Sequence, residues 1–195
     1  MPLFSRSDIR QETVRQKGKI VLIPGGKTSH IIAKEAAELI STFQNLQPDQ
    51  NYHYSTAGAW SLHDMIALAS EKIGPAKLYL STWTITEEPM RVLFGLIQKG
   101  LIEELNCLFD YRIEKRKAEA FQFAQVNASK IKLVKIHAKV AVLINEEWAI
   151  TILGSANLTK NPRIEAGVLS SSLEVAEFHR NWITNEIKHG DTFRK

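Results

Sequence analysis

At 195 residues, with 44% hydrophobic and 24% charged residues, the chain has the length and apolar content to bury a core, which excludes a disordered, collagen-like or mucin-like polypeptide. Its longest uninterrupted apolar runs, such as Val140 to Ile144, fall far short of the roughly 20 residues of a membrane helix, and Met1 to Arg6 lacks the apolar stretch of a secretory signal. A cytoplasmic protein with a single domain over residues 1–195 is expected, and Cys107, alone, excludes an intrachain disulfide or a Cys-based zinc cage and reads as a small buried hydrophobe.

In chain order, residues 1–18 read as a polar arm or short helix, and Ile20 to Ile23 as a strand stopped by Pro24-Gly25-Gly26. Lys27 and Thr28 extend that turn. A P-loop is excluded, because the first glycine of its pattern falls on Val21. Ile32, Ala36, Leu39, Ile40, Phe43 and Leu46 form the stripe of an amphipathic helix over 31–46, followed by a loop over 47–55. Ser61 and Asp64 have capping-box spacing ahead of a helix that carries Met65, Leu68, Ala69 and Ile73 and ends at Gly74-Pro75. A strand over 77–83 precedes a helix opened by Thr86 and Glu87-Glu88-Pro89 and closed at Gly100. Strand 102–109, helix 113–126 and strand 131–136 complete a βαβαβ alternation. Asn145-Glu146-Glu147 is too short for a crossover, so 138–144 and 148–153 form a hairpin. A strand over 164–169 and a helix over 173–187 follow. The predicted fold is α/β, a mixed sheet with helices on both faces.

Net charge is +4, yet residues 112–139 hold eight basic side chains against Glu114 and Glu119, so the positive charge is concentrated there. Such a stretch points to a polyanion, with Lys115, Arg116 and Lys117 as candidate substrate contacts and DNA preferred over RNA. His30, His53 and His63 show no metal-ligand spacing, so no metal and no cofactor is assigned. Trp83, at a strand end, reads as core packing.

His137-Ala138-Lys139, a hairpin, Gly154-Ser155-Ala156-Asn157 and then Glu165 form the pattern that carries chemistry. In an extended chain His137 and Lys139 share a face, and the hairpin return brings 154–157 alongside. An imidazole, an ammonium, a carboxamide and a carboxylate converging between apolar strands suit a phosphate ester.

These residues, in this order, resemble the signature of the phospholipase D superfamily, H-x-K, a downstream Asp, G-S-x-N and an acidic residue, in the form of bacterial phospholipase D-like nucleases with one H-x-K. The resemblance is clearest over 55–187 and implies an α-β-α layered domain. It departs at the Asp, which falls on Ile144 beside Asn145. It implies a homodimer in which two copies of His137 face each other, one forming a phosphohistidine and the other serving as acid and base. Lys139 and Asn157 would hold the nonbridging oxygens, Glu165 would orient the imidazole, and Ser155 would contact substrate, without a metal. The expected function is a phosphodiesterase acting as a nuclease, with no membrane partner. A noncatalytic nucleic-acid-binding or assembly protein is the alternative suggested by the missing Asp, and a lipid phosphodiesterase is a third.

Overall fold

The computed structural model describes residues 27–32, 36–56, 58–160 and 162–191. The expected arm over 1–18, the strand at Ile20 to Ile23 and the Pro24-Gly25-Gly26 turn lie outside these residues. The described chain runs β1 (Lys27–Ile32), α1 (Ala36–Gln44), β2 (Gln50–Ser55), α2 (Leu62–Ile73), β3 (Ala76–Thr82), α3 (Glu87–Gln98), β4 (Ile102–Asp110), α4 (Ile113–Arg116), α5 (Ala118–Asn127), β5 (Lys130–Val134), β6 (Val140–Ile144), β7 (Ala149–Gly154), β8 (Ala166–Ser170) and α6 (Leu173–His189).

All eight strands join one mixed sheet in the order β1-β2-β8-β7-β6-β3-β4-β5. The β3, β4 and β5 strands are parallel, whereas β6, β7 and β8 pair antiparallel with their neighbours, as the short β6–β7 link requires. Helices cover both faces. Phe43 of α1, Met65 and Ile66 of α2, Leu93 of α3 and Phe121 of α5 meet Leu78, Leu80, Leu105, Cys107, Leu143 and Ile152 on one face. On the other, Ala176 and Ile183 of α6 meet Leu108, Val140, Val142 and Ala149. The β6 strand is therefore buried on both sides, which explains its unbroken apolar sequence. Cys107 is fully buried, and that burial pushes its thiol pKa up.

Helices α2 and α3 begin after Ser61 and Thr86 as expected, with Asp64 Oδ2 accepting the Ser61 amide at 2.8 Å to complete the capping box. Three expectations need correction. Lys27 to Ile32, read as a turn running into a helix, is instead a strand on the sheet edge, paired parallel with β2, and the helix begins at Ala36. The stripe from Ile32 is compatible with helical spacing, but so short a β-branched run is equally compatible with a strand. Residues 50–55, part of the loop expected over 47–55, form β2, in which Tyr52 and Tyr54 alternate inward around exposed His53. The helix expected over 113–126 breaks at Lys117, whose φ of −138° and ψ of 45° separate α4 from α5. The run from Glu114 to Lys117 has no buried side chain to hold it in register with Ile113.

Candidate active site

Strands β2, β3, β4, β5 and β7 end on the edge of the sheet where β6 and β8 begin. That edge gathers Thr56, Thr82 and Trp83, Asp110, His137 to Lys139, Gly154 to Asn157, and Glu165 from widely separated parts of the chain. Ligands of open α/β sheets bind at such strand ends, where the chain departs in opposite directions from a central strand.

His137 and Lys139 sit in the link over 135–139, so the strand expected from Ala138 starts only at Val140. Strand alternation is not what pairs them. The Lys139 side chain turns back, its Nζ donating to the His137 carbonyl at 2.6 Å and lying 3.3 and 3.4 Å from the two ring nitrogens. Ser81 Oγ donates to the Ala138 carbonyl at 3.1 Å and the Gly154 amide donates to the Lys139 carbonyl at 3.3 Å, which ties the link to the sheet on both sides. His137 is exposed, while Lys139 retains only 8% of its accessible surface. Burial pushes the Lys139 pKa down and the nearby Glu165 charge opposes it. The result is a desolvated cation beside an accessible imidazole, and a charge acts more strongly on a phosphate there than it would in water.

Glu165 is fixed by its backbone and its carboxylate. Its amide donates to Thr56 Oγ1 at 3.0 Å, its carbonyl accepts the Thr56 amide at 2.9 Å, and its carboxylate accepts the Ser155 hydroxyl proton. Ser155 Oγ also accepts the Ala166 amide at 3.1 Å. Ser155 thus acts as a bracket on Glu165 in this arrangement. Asn157 is oriented from β3: Thr82 Oγ1 lies 3.3 Å from Asn157 Oδ1 and 3.1 Å from the Thr84 carbonyl, so its proton serves either acceptor, and it receives the Leu158 amide at 3.2 Å. With Oδ1 facing Thr82, the Nδ2 protons of Asn157 have no acceptor among the described residues and can donate to an anion.

Sequence reasoning missed Tyr54. Tyr54, Gly167 and Gly154 lie side by side across β2, β8 and β7, as the register pairs Tyr54 with Gly167 and Gly167 with Gly154. The phenol occupies the space that a Cβ at either glycine would need, and a Cβ on Gly154 would also come within 2.8 Å of the Ala166 carbonyl. Burial, and then the Glu165 charge, push the Tyr54 pKa up, so the phenol is a neutral group beneath the carboxylate. The signal available in the sequence was the Tyr52/Tyr54 alternation, which loop-like composition concealed.

The expectation for Trp83 is corrected. It is half-buried at the end of β3, its ring centroid 5.5 Å from that of His137, rather than packed within the core. The Arg112 guanidinium lies 5.2 Å from its centroid. Lys115, Arg116 and Lys117 are exposed around α4, beyond the end of β4, on the flank of the site. His63 is buried 3.7 Å from Asp64, and among the described residues no group of three or more His, Cys, Asp or Glu side chains could hold a metal ion. No helix among the described residues is long and apolar enough to cross a membrane.

No family model matches the sequence, and no curated protein matches it. Similarity appears in three dimensions: the crystal structure of Nuc, a phospholipase D family member from Salmonella typhimurium, matches with a TM-score of 0.55 and 16% identity over 74% of this chain and 98% of that one. The chain has a phospholipase D-like fold. Polyphosphate kinase from Porphyromonas gingivalis shares the arrangement at a TM-score of 0.51 and 13% identity, over 73% of this chain and 26% of that one.

In this phospholipase D-like fold the position lacking the signature Asp is remote from the imidazole. Ile144 closes the five-residue β6, whose other end follows Lys139, a separation of about 13 Å at the usual rise per strand residue. Asn145 braces this far end: its Nδ2 donates to the Ile73 and Pro75 carbonyls at 2.9 and 3.1 Å, and its Oδ1 accepts the Glu147 and Trp148 amides at 3.0 and 2.8 Å. A 680 Å³ depression lined by Ile73, Pro75, Lys77 and Asn145 also lies at this opposite end of the sheet.

Proposed function

We propose that the protein is a metal-independent phosphodiesterase of the nuclease type, acting through His137 in a site shared by two copies of the chain. The observation that carries this reading is the buried Lys139 ammonium held against the exposed His137 imidazole, with the free amide edge of Asn157 and the Ser155-bound Glu165 on the same sheet edge. A ring nitrogen of His137 attacks phosphorus, forming the P–N bond as the P–O bond to the leaving alcohol breaks. His137 of the partner subunit donates the proton that the alcohol oxygen takes. Water then attacks phosphorus, the P–N electron pair returns to His137, and the partner subunit's His137 accepts the water proton. Lys139 and Asn157 donate to the nonbridging oxygens, where preorganised donors are most effective. Glu165 stabilises the positive charge around Lys139 and the phosphorylated imidazole.

One chain holds one H-x-K, so both the acid and the nucleophile require a second copy. The basic run from Arg112 to Lys139 leads into the site and favours nucleic acid as the phosphodiester. Hydrolysis of single- and double-stranded DNA, RNA and bis(p-nitrophenyl) phosphate in EDTA tests the activity, with light scattering for the dimer. Cleavage that disappears in His137→Ala supports the reading. A folded dimer in which wild type and His137→Ala behave alike on every diester overturns it in favour of a noncatalytic nucleic-acid-binding protein.

A further inference from the structure

On the same sheet edge as the imidazole, the loop after β4 carries a second cationic group with a built support. Asp110 is fully buried, and its two carboxylate oxygens hold Arg112: Oδ1 accepts Nε at 2.6 Å and the Arg112 amide at 3.1 Å, while Oδ2 accepts Nη2 at 3.1 Å and the Ile136 amide at 3.3 Å. Burial acts to raise the Asp110 pKa, but the hydrogen bonds from Arg112 and Ile136 outweigh it and hold the carboxyl below its ordinary value. The Ile136 amide belongs to the residue just before His137, so one carboxylate fixes both the guanidinium and the start of the catalytic link.

Asp110 engages only one side of the guanidinium fork. The side chain is 36% exposed, and Nη1 has no acceptor among the described residues. The cation lies 5.2 Å from the Trp83 ring centroid, and that ring in turn lies 5.5 Å from His137. Laid end to end, these distances keep Arg112 within about three phosphate steps of the imidazole, counted at the roughly 3.4 Å of helix axis that each phosphate of one duplex strand occupies. Past it in the chain, Lys115, Arg116 and Lys117, together with Glu87 and Glu119, line a 430 Å³ depression. A guanidinium with one edge pinned and the other open is suited to a phosphate oxygen, because its remaining donors need little ordering on binding.

We propose that Arg112, supported by Asp110 and seated on Trp83, binds a phosphate flanking the scissile one, so that the preferred substrate is an oligonucleotide with several phosphates in series rather than a diester with one. This rests on the phosphodiesterase reading for its kinetic test, but not for its binding test. In the first, an oligonucleotide of defined sequence carries a neutral methylphosphonate at each of the three linkages on either side of the cleavage point in turn. One position should lower kcat/KM by about tenfold or more, the scale of a charged hydrogen bond. In Arg112→Lys, which keeps the charge but loses the fork, that position should matter several-fold less. The same variant should lose at least five times more on the oligonucleotide than on bis(p-nitrophenyl) phosphate.

Asp110→Asn with Arg112→Met, which removes both charges together, guards against misfolding caused by an orphaned buried carboxylate. Equal losses on the two substrates, or no methylphosphonate position whose effect depends on Arg112, overturn the subsite. If wild type turns over neither substrate, the enzyme reading fails, and the subsite is judged by the dissociation constants of the same oligonucleotides. An Arg112-dependent loss of about tenfold at one neutralised linkage upholds it, and a flat series overturns it.

Discussion

Lys139 Nζ lies 2.6 Å from the carbonyl of His137 and within 3.4 Å of both nitrogens of its ring, so a largely buried cation sits directly on the residue proposed as the nucleophile. Burial of that charge acts against its ionised form. His137→Ala is expected to abolish turnover. Lys139→Ala and Asn157→Ala are each expected to lose about a hundredfold or more in kcat, the usual scale for removing a preorganised donor. Steady-state kinetics on DNA and on a chromogenic diester measure these losses, with circular dichroism confirming that the variants fold.

The lowered Lys139 pKa has a definite sign in stability. The folded state releases this proton at lower pH than the unfolded state, so between the two pKa values the unfolded chain binds more protons and stability rises with pH. Below that window the full desolvation penalty applies. Lys139→Met should therefore compare most favourably with wild type near neutral pH, and its relative advantage should shrink as pH approaches the ordinary lysine range. Urea unfolding at pH 7 and pH 10 reads this directly; an unchanged difference would show that the ammonium carries no burial penalty.

Asn145 and Ile144 separate fold from chemistry. Asn145→Ala removes both pairs of hydrogen bonds at the hairpin and is expected to cost about 1–3 kcal/mol in stability, with turnover per folded molecule kept within twofold. Ile144→Asp, which restores the carboxylate of the signature, should not raise activity, because the strand holds it about 13 Å from Val140, the residue that follows Lys139. A rate increase in Ile144→Asp would refute the bracing account.

The row Tyr54, Gly167, Gly154 permits a packing test. Gly167→Ala places a methyl against the Leu153 carbonyl and the Tyr54 phenol and should destabilise by about 1–3 kcal/mol in thermal unfolding. Tyr54→Phe relieves only the hydroxyl contact, leaving the ring carbon Cζ at 2.7 Å and the Leu153 carbonyl in place, so the double variant should recover only a minor part of the stability.

The basic flank should govern affinity through salt. Changing Lys115, Arg116 and Lys117 to Ala should reduce the slope of log K against log salt for DNA by about one unit for each phosphate that is no longer neutralised. An unchanged slope would assign these residues to a solvated surface.

The sequence alone determined the elements whose signals are local and strong. Ser61 with Asp64, Thr86 with Glu87, Glu88 and Pro89, and the three-residue link after Ile144 specify helix starts and a hairpin through short-range geometry, and the apolar run of β6 specifies a strand covered on both faces. The residues of the candidate site were legible by spacing, since His137, Lys139, Ser155, Asn157 and Glu165 all reach one edge. Tertiary structure decided the rest. Residues 50–55 became a strand because β8 supplied partners for a polar segment, and Lys139 met His137 through a folded-back side chain where alternation had been expected. Trp83 and Arg112 came to the imidazole because β3 and β4 end beside β6, and Tyr54 found its place only opposite two glycines about a hundred residues or more away. Local propensity and period reach a few residues along the chain. Which strand ends share an edge is set by sheet order, which depends on burying both faces of the sheet at once.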